Sequence, residues 1–292
     1  MAKAVYSAKS SYGKTQLQNL ILQSLAENSS LLDGELKFTK AGGYEDKNQK
    51  IDAYIGINSV QVKMDYQSMV NHTTAVEVVQ LNLNTSDYNK GHYMDVPLAG
   101  GVTETELMNV DYLYYIIPGE GIAIWKPTQL SRLVFHCMRS IPLNVVPQEI
   151  AFDGIPLQGQ NGFRIAVAAN KESDKNMWNS LCYLLPNEYL TYELGIPLGH
   201  WERDFKTGNL VFHANEDEEG NRTYIKPVQV ISWYDVLSVI LSDYSRYEKI
   251  CELVVNHILD YKYGKIKAAK IAECFNINPE YLTLHDWSNG NT

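Results

Sequence analysis

The chain has 292 residues, 45% hydrophobic and 20% charged, a balance that suits a globular protein with a sizeable core. A net charge of −9 argues against coating nucleic acid through a general basic surface, while leaving room for a local basic groove. No apolar run approaches the roughly 18 residues of a membrane span.

The first residues carry no apolar core of a secretory signal, and Cys137, Cys182, Cys251 and Cys274 form no CxxC pair. The expectation is a cytoplasmic protein with reduced thiols, no zinc site and no membrane partner. Twenty tyrosines are read mainly as core and interface filling.

In chain order, Leu17, Leu20, Ile21 and Leu25 recur near helical spacing and predict an amphipathic helix over 15–26. Gly13-Lys14-Thr15 has the ending of a phosphate-binding loop, but the upstream Gly of that motif is Ala8 here and no strand leads in. That motif is excluded. After a turn at Gly42-Gly43 and a charged run over 44–50, residues 51–63 read as a tight β-hairpin. Asp52 lies on its first strand and Gln61 and Lys63 on its second.

Strand side chains alternate, so Gln61 and Lys63 share one face while Val60, Val62 and Met64 share the other. A turn at Gly56-Ile57 sets Asp52 opposite Gln61, and a turn at Ile57-Asn58 sets it opposite Lys63. Either register gathers a carboxylate, an amide oxygen and an ammonium on one side of a sheet.

Residues 74–83 read as a strand bearing Glu77, and Thr103 and Glu106 have capping-box spacing for a short helix. Strands over 111–117 and 122–125 flank a turn at 118–121, and a helix starts at 127. This order suits an α/β core over 1–140. Residues 141–230 are broken by Pro and Gly into short strands and loops, with an acidic turn at 216–220. Residues 231–292 are expected to be helical, over 234–241, 247–259 and 265–275.

Residues 267–282 resemble the first helix and turn of a helix-turn-helix, and Lys262, Lys265, Lys267 and Lys270 lend the positive charge of a DNA-contacting element. Asp65, His72 and His92 fall in expected loops and are read as surface residues.

The hairpin points to phosphodiester cleavage, which needs an activated water and stabilised charge on the phosphate and leaving oxygen. Carboxylate-bound Mg²⁺ supplies both, and a nearby lysine orients the water and offsets phosphate charge. Asp52 is the expected main ligand, joined by the Gln61 amide oxygen and the Val62 carbonyl, with Lys63 as the cation beside the nucleophile.

Asp52 followed by Gln61-Val62-Lys63 resembles the PD-(D/E)XK nuclease superfamily in its Asp…Gln-x-Lys variant, over about residues 10–135. It is similar to small phage-encoded and restriction-like members. The resemblance implies a restriction-endonuclease-like mixed β-sheet core flanked by helices. It also implies Mg²⁺- or Mn²⁺-dependent hydrolysis, with DNA as the partner and an endonuclease of phage or mobile-element type.

Two departures stand out. The family's first-helix acid is missing from a helix rich in Gln16, Gln18 and Gln23, with Glu27 the nearest candidate, and Ile51 replaces the family's proline. Glu77 is the candidate second carboxylate. A chain without the helix acid has an alternative reading, a catalytically silent nuclease-fold protein that binds nucleic acid or protein. Residues 141–292 are then expected to supply specificity, a protein-partner surface or a homodimer contact.

Overall fold

The apolar stripe at Leu17, Ile21 and Leu25 needs a surface to bury it, and the alternating strand around Val60 offers one. The computed structural model brings the two together. It describes residues 2–28, 30–64, 66, 68–83, 98–99, 101–131, 164–171, 177–191, 195–203, 205–207, 210–259, 264–278 and 280–281. Asp65, His92, Cys137, Lys262 and residues from 282 lie outside these, as do the side chains of Lys265 and Lys267.

Helix α1 spans Ala2–Ala26 and so starts well before the predicted Thr15. Its first half has no apolar stripe from which a periodicity could be read. Next come β1 (Leu36–Phe38), α2 (Tyr44–Gln49), β2 (Ala53–Ile55), β3 (Asn58–Met64), α3 (Ser68–Asn71), β4 (Thr73–Leu83) and β5 (Leu98–Ala99). Helix α4 (Val102–Leu107), β6 (Tyr112–Ile117), β7 (Gly121–Trp125), β8 (Arg164–Lys171), β9 (Met177–Pro186) and α5 (Asn187–Thr191) follow. The remaining strands are β10 (Ile196–Pro197), β11 (Gly199–Arg203), β12 (Leu210–Ala214), β13 (Tyr224–Ile225) and β14 (Gln229–Ser232). Helices α6 (Trp233–Ser242), α7 (Tyr244–Leu253) and α8 (Gly264–Cys274) close the chain, with a π-helical stretch Val254–Leu259 extending α7.

The architecture is mixed α/β, as expected, around a six-stranded sheet ordered β1-β2-β3-β6-β7-β14. The first three strands form an antiparallel meander, β3 and β6 run parallel, and the rest are antiparallel. In the β2–β3 hairpin Ile55 faces Asn58, so the turn is Gly56-Ile57. Gly56 adopts φ +61°, the left-handed conformation that the first loop residue of a mirror-image turn requires.

The parallel register is pinned just outside the strands, where the Asp111 carboxylate accepts from the Ser59 N–H and hydroxyl, both at 2.8 Å. Helix α4 begins at Val102, one residue ahead of the expected cap Thr103. The buried Thr105 hydroxyl donates back to the Gly101 carbonyl at 2.7 Å.

One face of the sheet presents Val60, Val62, Met64, Tyr114, Ile116, Ile122 and Ile124 to a continuous core shared with α1, α6, α7 and α8. The C-terminal helices seal onto it: the Trp233 indole donates to the Cys274 carbonyl at 2.7 Å, and its ring meets Phe275 edge-on. Residues from Ile231 to Ile277 therefore share a core with residues from Leu17 to Ile124, and the expected break at 230 does not separate two cores. The buried Ile271, Ala272, Phe275 and Ile277 bind the helix-turn-helix-like segment into this core. The physical reason is that β7 would otherwise be an open edge, and β14 pairs with it.

The second sheet is antiparallel, ordered β5-β4-β9-β8. Buried polar groups tie its β4 to the neighbouring helices, where Asn187 of α5 donates to the Ser68 carbonyl of α3 and accepts from the Thr74 hydroxyl. Cys182 and Cys251 are buried and Cys274 is partly so. Among the described residues no helix is long and apolar enough to cross a membrane.

Candidate active site

The left-handed Lys50 (φ 59°) ends α2 and turns the chain into β2, where the Thr39 N–H and hydroxyl hold the Asp52 carbonyl at 3.1 and 3.0 Å. The Asp52 N–H donates to the carbonyl of Val60, the partner of Ala53, at 2.9 Å, which ties Asp52 to β3 just ahead of β2. The turn at Gly56-Ile57 is the first of the two registers considered above, and Asp52 and Gln61 share one cleft. The Asp52 carboxylate Oδ2 accepts the Val62 N–H at 2.7 Å. Burial pushes the Asp52 carboxyl up, opposed by that N–H and by the Lys63 ammonium, with Asp46 adding to the upward push.

A cleft of about 710 Å³ opens between β3, β4, α1 and α2. Asp52, Gln61, Val62, Lys63 and Glu77 all line it. The fifth expected catalytic residue does not: Glu27, at the end of α1, pairs with Arg246 of α7. The correction has a geometric cause. The α1 residues in the cleft are Lys14, Thr15, Gln18 and Asn19, and Glu27 lies more than two turns further along the helix.

Glu77 reaches the cleft from the second sheet, at a β-bulge that shifts the register between Glu77 and Val79. Bulges re-aim side chains. Gly101 presses on this spot: a Cβ there would come within 2.3 Å of the Glu77 carbonyl, and φ is +52°. Only glycine fits.

Gln61 differs most from its sequence reading. It belongs to the polar face, yet it is only 7% exposed. Among the described residues its Oε1 has no hydrogen-bond partner. A buried carbonyl oxygen left without a donor costs about 1–3 kcal/mol. A cation held beside Asp52 and Glu77 would satisfy it, since hard cations take amide oxygens and carboxylates together. The donor set thus fits a divalent ion through Asp52, Gln61 and Glu77. Among the described residues, however, no group of three His, Cys, Asp or Glu side chains is close enough to hold a metal by itself.

The cleft also holds residues that pattern reading did not assign to it. Lys14, Lys47, Lys50 and Lys63 line it against three carboxylates, Asp46, Asp52 and Glu77, so an acidic chain carries a locally basic groove. Lys47 and Lys50 lie within the charged run over 44–50, and their side of α2 is set by tertiary packing.

Tyr115 sits beside Lys63 in the parallel register and forms part of the wall. Burial, with Cys182 and Glu77 nearby, pushes its phenol well above the usual range, which keeps it a proton donor. His72 is exposed, as expected, within 3.0 Å of the Lys270 ammonium and 3.9 Å of Glu120.

No family model, no curated protein and no solved structure matches this chain.

Proposed function

We propose that the protein is a Mg²⁺- or Mn²⁺-dependent nuclease of the PD-(D/E)XK type that hydrolyses phosphodiester bonds in DNA. The observation that carries this reading is the meeting of Asp52, Gln61, Lys63 and Glu77 in one lysine-lined cleft, with the Gln61 carbonyl buried and, among the described residues, unpartnered. The order of α1, the antiparallel meander β1–β3 and a parallel β6 beside β3 supports a restriction-endonuclease-like core. Asp52, Gln61, Glu77 and the Val62 carbonyl would hold the ion.

A bound divalent ion supplies a water of lowered pKa and neutralises developing charge. The protein's own groups do the rest. Lys63 offsets charge on the phosphate and orients the attacking water, and Lys47 and Lys50 draw the polyanion in. The Val62 N–H fixes the Asp52 carboxylate in place. Burial holds the Asp52 proton more tightly, so the metal-binding form gains population as pH rises.

Plasmid and short single- and double-stranded DNAs, incubated with Mg²⁺, Mn²⁺ or EDTA, test the reading. Asp52→Ala and Lys63→Ala should each lower metal-dependent cutting by about 10²- to 10³-fold. Cutting that persists unchanged in both variants rejects the site.

A second reading is a silent, nucleic-acid-binding relative. The sparse carboxylates favour it, because the described residues hold no three-ligand acidic or imidazole group. Calorimetric titration with Mn²⁺ separates the two, since an intact site takes up the ion and a silent one does not.

A further inference from the structure

Helix α1 brings no carboxylate to the cleft; the polar groups it brings include an ammonium and an amide. Lys14 and Gln18 are four residues apart, one above the other on one helix face, and both line the cleft. Gln18 is only 8% exposed. The Lys14 Nζ stands 5.8 Å from the ring centroid of Tyr66, itself only 4% exposed, so an aromatic face helps hold the ammonium in place. Of the three lining carboxylates, Asp46 already accepts the Gly42 N–H. The other two are Asp52, just ahead of β2, and Glu77, on β4, so none of the three comes from α1.

Hydrolysis forms a bond from the water oxygen to phosphorus and breaks the bond from phosphorus to the leaving oxygen. The water gives up a proton to solvent, and the leaving oxygen takes one up. Negative charge grows at both ends of this line, and two-ion sites answer it with two divalent cations about 4 Å apart. A second such cation on the helix side of this cleft would meet the Lys14 charge instead of a carboxylate.

We propose that the cleft works with a single divalent ion on the Asp52, Gln61 and Glu77 side, and that Lys14 supplies the positive charge that a second ion would bring. This rests on the nuclease reading and adds to it a catalytic residue and a stoichiometry.

Mn²⁺ titration of the full chain, followed by calorimetry and by electron paramagnetic resonance, reads the stoichiometry directly. A single ion should bind the unaltered protein. Lys14→Met should keep that ion's affinity within about twofold but slow single-turnover plasmid cutting about 100-fold, as loss of one charge-stabilising group does. Lys14→Arg should restore most of the rate. The pair Lys14→Met with Gln18→Glu should bind a second Mn²⁺, because the helix then offers a carboxylate.

Two ions on the unaltered protein, or Lys14→Met cutting at the normal rate, would overturn this inference and leave the nuclease reading standing. No Mn²⁺ uptake together with no cutting would overturn the nuclease reading, and this inference with it.

Discussion

The two faces of β3 lie one residue apart and obey opposite rules. Val60, Val62 and Met64 enter a continuous apolar core under α1 and the C-terminal helices, all at 5% exposure or less. Gln61 and Lys63 face the other way, into a cleft where a carboxylate is buried, four lysines gather and, among the described residues, the Gln61 carbonyl has no donor. The first face holds the fold together; the second opposes it locally. A protein tolerates such a conflict where function requires it, so the difference itself locates the site.

Substitutions on the two faces should separate stability from activity. The largest expected effect is on catalysis: Asp52→Ala should slow metal-dependent cutting by about 10³-fold, roughly 4 kcal/mol of barrier, with the melting temperature unchanged or raised. On the opposite face, Ile116→Ala should cost about 2–5 kcal/mol in denaturant unfolding. Its activity should fall only as the folded fraction falls. Equal loss of stability on both faces would erase the distinction.

Gln61→Met tests the unpartnered carbonyl. It should raise stability by about 1 kcal/mol in EDTA, because a buried polar group without a donor is removed. The same change should abolish the thermal stabilisation that Mn²⁺ gives the unaltered protein.

A subtler effect concerns pH. The Asp52 carboxyl is raised above its ordinary 3.8, so its stabilising contribution is full below that value and is lost as pH rises through the folded value. Asp52→Asn escapes this loss. Its stability relative to the unaltered chain in EDTA should therefore grow as pH climbs through that window, and urea unfolding at several pH values would show it.

The smallest effect belongs to Glu27→Ala. This half-exposed ion pair with Arg246 should contribute about 0.5 kcal/mol, and cutting should be unchanged. A large loss of activity there would return Glu27 to the site.

Much of the local structure could be read from pattern. The β2–β3 hairpin announces itself through alternation, and β6 and β7 through short apolar runs on either side of the turn at 118–121. The grouping of Asp52 with Gln61 follows from the turn at Gly56, and the shared face of Gln61 and Lys63 from the two-residue strand period. Helix caps and boundaries were harder. Helix α4 starts at Val102, ahead of the expected cap Thr103, and directly follows Gly101, where a glycine alone fits against the Glu77 backbone. Nothing local in the sequence records that contact.

What the sequence by itself determined is the chemistry available in each short segment: an acid, an amide and a lysine on one hairpin, and an apolar stripe on one helix. Backbone periodicity is enough for that, since it acts over a few residues. Only the tertiary structure decided which distant groups complete the set. It brought Glu77 in across a bulge, turned Lys14 and Gln18 of α1 toward the cleft, and drew Glu27 away to Arg246. It also buried Gln61 on a face that alternation alone marks as polar, in a cleft it shares with Glu77 of the second sheet. These placements depend on how sheets and helices stack, and that is settled by the whole core at once.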